Sequence, residues 1–187
     1  MVYFFKNHIF TPDFSASLVS GFITSFVFLF ILLFLFRPHI KIGPSIALHV
    51  DDLDPTLRLC CAFKIVNKSF FGAYDLKVEV CQKLVSFGPN GATNYRTVPL
   101  PLLRDHYPHV APFKVVFSSN ASTDFALWFI TYSDLKGILT TTPHTKIEIR
   151  VTCRHALTGL GNVWTREYTK TDITLGTFKS GNTFEIV

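Results

Sequence analysis

The run from Ala16 to Phe36, ASLVSGFITSFVFLFILLFLF, contains no charged residue and no proline. As an α-helix it would be roughly 31 Å long, which matches the hydrocarbon core of a bilayer. A helix that is apolar on every side offers no face to water and belongs in lipid or inside a large protein. The remaining chain is too small to enclose it. The run therefore predicts a single transmembrane helix over residues 15–37, after an aromatic segment 1–14 and before a domain spanning 38–187. A cleaved signal peptide would need a basic start, a shorter apolar core and a small-residue exit. Here Lys6 is the only Lys or Arg ahead of the span, and the exit reads Arg37-Pro38-His39.

Thr11-Pro12-Asp13 predicts the helix start, with Thr as N-cap, Pro at the first helical position and an acid in the first turn. The first half of the span carries Ser17, Gly21 and Ser25 at four-residue spacing, a helix-packing pattern that lets backbones approach closely in lipid. Phe22, Phe26, Phe30 and Phe34 recur with the same spacing. These rings either face lipid as bulk or, in a bundle of several copies, line and gate a hydrophobic path that closes by dewetting. Tyr3, Phe4, Phe5, Phe10 and Phe14 suit the membrane–water interface. Val at position 2 and a C-terminus without Cys give no lipidation signal. Arg37, His39 and Lys41 after the span, against Lys6 before it, place the C-terminal domain in the cytoplasm of an inner-membrane, single-pass protein. Two sequons, at Asn67 and Asn120, matter only if the domain is exported.

Residues 38–187 alternate with period two. Leu57, Leu59, Cys61, Phe63 and Ile65 share one face. Leu76, Val78 and Val80 oppose Asp75, Lys77, Glu79 and Lys83, and Ile147, Ile149 and Val151 oppose Lys146, Glu148 and Arg150. Such alternation marks half-buried antiparallel strands. Gly88-Pro89-Asn90-Gly91 and Gly159-Leu160-Gly161-Asn162 supply turns, and Ser133–Leu139 allows a turn or two of helix. The fold class expected is a transmembrane helix plus an all-β sandwich. Cys60, Cys61, Cys81 and Cys153 fall inside apparent strands rather than in a disulfide framework.

The segment Trp164 to Phe178, WTREYTKTDITLGTF, resembles the closing strands of the cytoplasmic domain of inward-rectifier potassium channels. Val66-Asn67-Lys68-Ser69 with the strand Asp75 to Glu79 resembles that family's first hairpin, and Leu100 to Pro108, LPLLRDHYP, its middle segment. The resemblance implies an immunoglobulin-like sandwich in a homo-oligomer, with a tetramer favoured. The chain departs from the family in having one span and no T-x-G-[YF]-G filter, so potassium selectivity is not implied. A single span joined to a soluble β domain also resembles bacterial anti-phage membrane effectors of the Hailong type. That likeness implies a nucleotide or oligonucleotide signal, a nucleotidyltransferase partner and a role in antiviral defence.

The sequence carries no catalytic constellation: G-x-S-x-G, H-E-x-x-H, P-loop and G-x-G-x-x-G are all absent. No cofactor or metal is expected. His106 and His109 lack a third ligand at metal-site spacing, and the adjacent Cys60 and Cys61 point to opposite faces of a strand. Residues 38–187 hold 16 Lys and Arg against 12 Asp and Glu, too even a balance for bulk nucleic-acid binding. Arg150 and Arg154 share one strand face. Arg166 and Lys170 share a face of the following strand, with Tyr168 and Trp164 in the same register. Paired as a hairpin, these six residues are expected to converge on an anionic ligand, with Arg pairing phosphates and rings stacking on bases. The same face serves equally as a solvated surface paired to Glu148 and Glu167, as a subunit contact or as a surface for anionic lipid. Two functions remain open: an oligomeric, ligand-gated membrane effector with a Phe-lined bundle, or a non-conducting, membrane-tethered protein-interaction module.

Overall fold

The computed structural model describes residues 12–35, 38–87, 93–113, 124–141, 144–155 and 159–187, apart from the side chains of Pro12, Phe34, Leu35 and Phe87. The chain divides into two compact units, Met1–Arg37 and Pro38–Val187. The Gly88–Gly91 turn, the Asn120 sequon, the Thr11 cap and the aromatic residues before Pro12 lie outside the described residues.

The first unit contains helix α1, Pro12–Leu35, 24 residues with Asp13 in its first turn. Among the described residues it is the one helix long and apolar enough to cross a membrane. Its side chains from Asp13 to Phe30 are exposed on every side. The Thr24 hydroxyl donates to the Ser20 carbonyl at 2.9 Å, which satisfies a polar group that lipid could not.

The second unit is built of strands β1 (Ile40–Ile42), β2 (Ile46–Val50), β3 (Leu59–Asn67), β4 (Ala73–Phe87), β5 (Thr93–Leu100), β6 (His106–Val110), β7 (Ala126–Thr131), β8 (Lys146–His155), β9 (Gly161–Tyr168) and β10 (Ile173–Leu175). Helix α2 (Leu135–Thr141) lies between β7 and β8, where the sequence allows a short one. Two sheets form. In the first, β3 pairs antiparallel with β1 and β2 and also with β7, while β10 joins β2 in parallel. In the second, the long β4 pairs with β5 and β6 and also with β8, and β9 follows β8.

Inward residues of both sheets make one core: Phe63, Ile65 and Phe129 from the first meet Leu76, Val78, Val80, Ile147, Ile149, Val151 and Tyr168 from the second. The alternation read from β4 and β8 is the observed one. For β3 it holds only in part. Cys61, Phe63 and Ile65 are buried, but Leu57 and Leu59 are exposed, and Leu57 sits at φ 48° in the turn before the strand. The opposite face of β3 is buried as well. Phe178, Phe184 and Ile186 of the closing segment lie over it: Phe178 and Ile186 form a cluster with Ala47, Ala62, Trp128 and Ile130, and Phe184 reaches Gly43. Lys64 on that face is fully buried, and its ammonium donates to the Lys179 carbonyl.

Asn67 is also fully buried. Its amide donates to the carbonyls of Phe71 (3.0 Å) and Ala111 (2.9 Å), so the folded domain does not present the Asn67 side chain at its surface. The four cysteines are free thiols, and burial pushes Cys60 and Cys61 up to about 11 and Cys153 up to about 12.

Candidate functional site

The β8–β9 hairpin forms, but its register separates the six residues expected to converge. Arg150 pairs with Thr165 and Arg154 with Gly161, whereas Val151 pairs with Trp164, Ile149 with Arg166 and Ile147 with Tyr168. Directly opposed residues project to the same face of a sheet. Arg150 and Arg154 therefore stand on the outer face, and Trp164, Arg166 and Tyr168 belong to the core-facing register. Tyr168 is fully buried against Phe63, with ring centroids 5.7 Å apart, and its hydroxyl donates to the Gly43 carbonyl at 2.7 Å. Burial pushes its phenol up. Trp164 packs half-buried on the core. Arg166, at the edge of the sandwich, places its guanidinium 5.7 Å from the Tyr168 ring. Lys170 lies beyond β9 in the short 3-10 turn Lys170–Asp172, exposed. A single six-residue surface is not formed.

The outer face of β4, β8 and β9 carries a ladder of paired charges instead. Lys83 reaches Glu148 at 3.2 Å and Glu167 at 2.6 Å, Lys146 reaches Glu167 at 2.6 Å, and Arg150 reaches Glu148 at 3.0 Å. Hydrogen bonds from Lys146 and Lys83 hold the Glu167 carboxyl below its ordinary range, and bonds to Glu167 and Glu148 hold Lys83 above its own. Arg150 is thus engaged by a carboxylate.

Arg154 stands at the other end of this face, in different company. Across β8, β4 and β6 the register aligns Arg154, Tyr74 and His109 in one row. The Tyr74 and His109 rings lie 4.8 Å apart. Beside them the pairing of β4 shifts between Tyr74 and Lys77, and Asp75 takes φ 53°. A bulge of this kind re-aims a side chain. The Asp75 carboxylate turns between two basic groups, His106 Nε2 at 3.0 Å and Arg154 Nε at 3.5 Å. Gly72 leaves room for the His109 ring, because a Cβ there would come within 2.8 Å of His109 Nε2. All five of these side chains reach solvent. Of these residues the sequence reading singles out Arg154 as a binding residue and weighs His106 and His109 only as metal ligands. Among the described residues no three His, Cys, Asp or Glu side chains gather as a metal would require.

On helix α1, Ser17, Gly21 and Ser25 share a groove with Phe14, Leu18 and Phe22. Phe22 and Phe26 are among the most exposed side chains of the helix, Phe30 is exposed beyond them, and the side chain of Phe34 lies outside the described residues. A Cβ added at Gly21 meets nothing within 4 Å. No protein-family model matches this chain, and no curated protein matches it.

Proposed function

We propose that the protein is a self-associating, single-span membrane effector whose immunoglobulin-like domain, on the cytoplasmic side, senses an anionic ligand and sets the state of a Phe-lined helix bundle. The observation that carries this reading is helix α1 itself, apolar and exposed on all sides, with two different stripes. Ser17, Gly21 and Ser25 each precede by one residue a bulky neighbour, Leu18, Phe22 and Phe26. Successive helical residues are turned by about 100°. In a ring of four helices the two neighbours of each stand about 90° apart. The Phe ridge of one helix then meets the Gly21 notch of the next, and the rings edge the central path. A ligand changes such a bundle only by binding one arrangement of the domains better than another.

The test is conductance across vesicles reconstituted with the full chain. Phe26→Ala and Phe30→Ala are expected to alter it, and unchanged behaviour of both variants removes the Phe gate. The second reading is a non-conducting tethered module that recruits a protein. It is favoured by the absence of any ionisable residue between Phe14 and Phe36. A scrambled, equally apolar span preserves function under this second reading and abolishes it under the first.

A further inference from the structure

We infer that the bulge end of the outer sheet face, around Tyr74, Asp75, His106, His109 and Arg154, is a binding site for a molecule that carries both a phosphate and a flat aromatic ring, with a nucleoside monophosphate as its simplest form. This deepens the proposed ligand-sensing role and rests on it, while keeping only Arg154 of the six residues expected on the β8–β9 hairpin.

Three features of the cluster point to this ligand class. First, the ladder at the other end of the face is neutralised internally, since Lys83, Lys146 and Arg150 all hold carboxylates within 3.2 Å. At the bulge, one carboxylate is shared by two basic groups, 3.0 Å from His106 and 3.5 Å from Arg154. Lys77 close by is paired with Glu79 at 2.9 Å. Second, the Tyr74 and His109 rings, exposed and tilted 54° to each other, offer an aromatic platform on the strand row that carries Arg154. Rings stack on any base, and Arg pairs phosphate oxygens through its planar fork. A polyol phosphate would leave that platform unused. Third, the backbone goes out of its way to build the arrangement. The β4 bulge and the left-handed Asp75 put two successive side chains, Tyr74 and Asp75, on the same outer face, and Gly72 makes space for His109. Gly161 opposite Arg154 has no side chain to cover the guanidinium.

Asp75 acts here as a placeholder. Its carboxylate occupies the position of the ligand's phosphate between His106 and Arg154, and keeps both side chains aimed at that point. A phosphate brings more acceptor oxygens than the carboxylate and displaces it.

The test is isothermal titration calorimetry on the full chain in detergent at fixed ionic strength, with adenosine 5′-monophosphate, inorganic phosphate and adenosine as probes. The monophosphate is expected to bind at least tenfold more tightly than either fragment. Arg154→Ala should weaken it at least tenfold, with Arg154→Lys falling between. Tyr74→Ala should reduce it to the level of inorganic phosphate, while Tyr74→Phe retains it. Asp75→Asn should tighten it about threefold or more, because the competing charge is gone. Arg96→Ala, which removes an exposed charge on β5, should change nothing. Near-UV circular dichroism of each variant separates lost folding from lost binding. A monophosphate that binds no better than phosphate overturns the inference, as does a loss confined to Arg150→Ala or Arg166→Ala, or a weaker Asp75→Asn. Particle mass on the same preparation keeps the two readings apart. A tetramer that ignores the probe defeats this site alone, and a monomer that binds it defeats the bundle alone.

Discussion

Lys64→Met is expected to change the sign of its effect on stability as pH rises. Lys64 is fully buried beneath the closing segment, and its ammonium donates to the Lys179 carbonyl. Burial, with Lys68 nearby, pulls its pKa down from 10.5 to about 8. That difference corresponds to about 3 kcal/mol of penalty on the charged form in the folded state. Below pH 8 the amine is charged in both states and the full penalty applies. Between pH 8 and 10.5 the unfolded chain holds the proton more firmly than the folded one, so stability rises with pH across this window. Methionine fills similar space without a charge but leaves the Lys179 carbonyl without its donor, a loss of about 1–2 kcal/mol. At pH 7 the variant should therefore be more stable than the native chain by about 1–2 kcal/mol. By pH 10.5 it should be less stable by a similar amount, since the neutral lysine then keeps its hydrogen bond at little cost.

The assay is urea unfolding of the full chain in detergent at a series of pH values. Trp128 reports by fluorescence, since it packs against Phe178 of the closing segment with ring centroids 6.2 Å apart. Taking the difference between the two proteins cancels other groups that titrate in this range. A difference that stays constant from pH 7 to 10, or a variant already less stable at pH 7, refutes the reasoning.

Three further outcomes are expected. Tyr168→Phe should lower stability by about 1–2 kcal/mol in the same unfolding assay, because the buried Gly43 carbonyl loses its 2.7 Å partner. Asp54 accepts bonds from the Thr56 amide (2.9 Å), the Thr56 hydroxyl (2.7 Å) and Arg58 (2.6 Å), which hold its carboxyl down at about 2 against an ordinary 3.8. Its stabilisation is present above pH 3.8 and is lost as pH falls towards 2, so Asp54→Asn should flatten the acid limb of the stability–pH curve. Gly176→Ala should destabilise by about 2 kcal/mol or more, read as a fall in Tm. Its φ is 125°, and a Cβ there would overlap the Val187 carbonyl.

Much of the fold is legible because burial imposes a period. Leu76, Val78 and Val80 oppose charges in the sequence and face the core in the structure. The α1 helix is legible for a simpler reason, since the run from Ala16 onward carries no charge and offers no polar face to water. Three features are not legible. Lys64 reads as an outward residue because its face is covered by a segment more than a hundred positions away, as Lys64 and Lys179 show. The hairpin site fails on parity: the β8–β9 connection sets Arg154 opposite Gly161, and a shift of one residue exchanges every side chain between faces. The bulge cluster is hidden for a related reason. Strict alternation along β4 separates Tyr74 from Asp75, and only the irregular backbone at Asp75 brings both to the outer face beside His106 and His109.

Self-association of the span is settled by the mass of the detergent-solubilised particle, from light scattering on the native chain and on Gly21→Leu. Four copies of the 21.2 kDa chain are predicted for the native protein. The leucine, which fills the notch that the neighbouring Phe ridge would occupy, should dissociate them. A native particle that is monomeric at every detergent-to-protein ratio, or a tetramer that Gly21→Leu leaves intact, would contradict the proposed packing of the bundle.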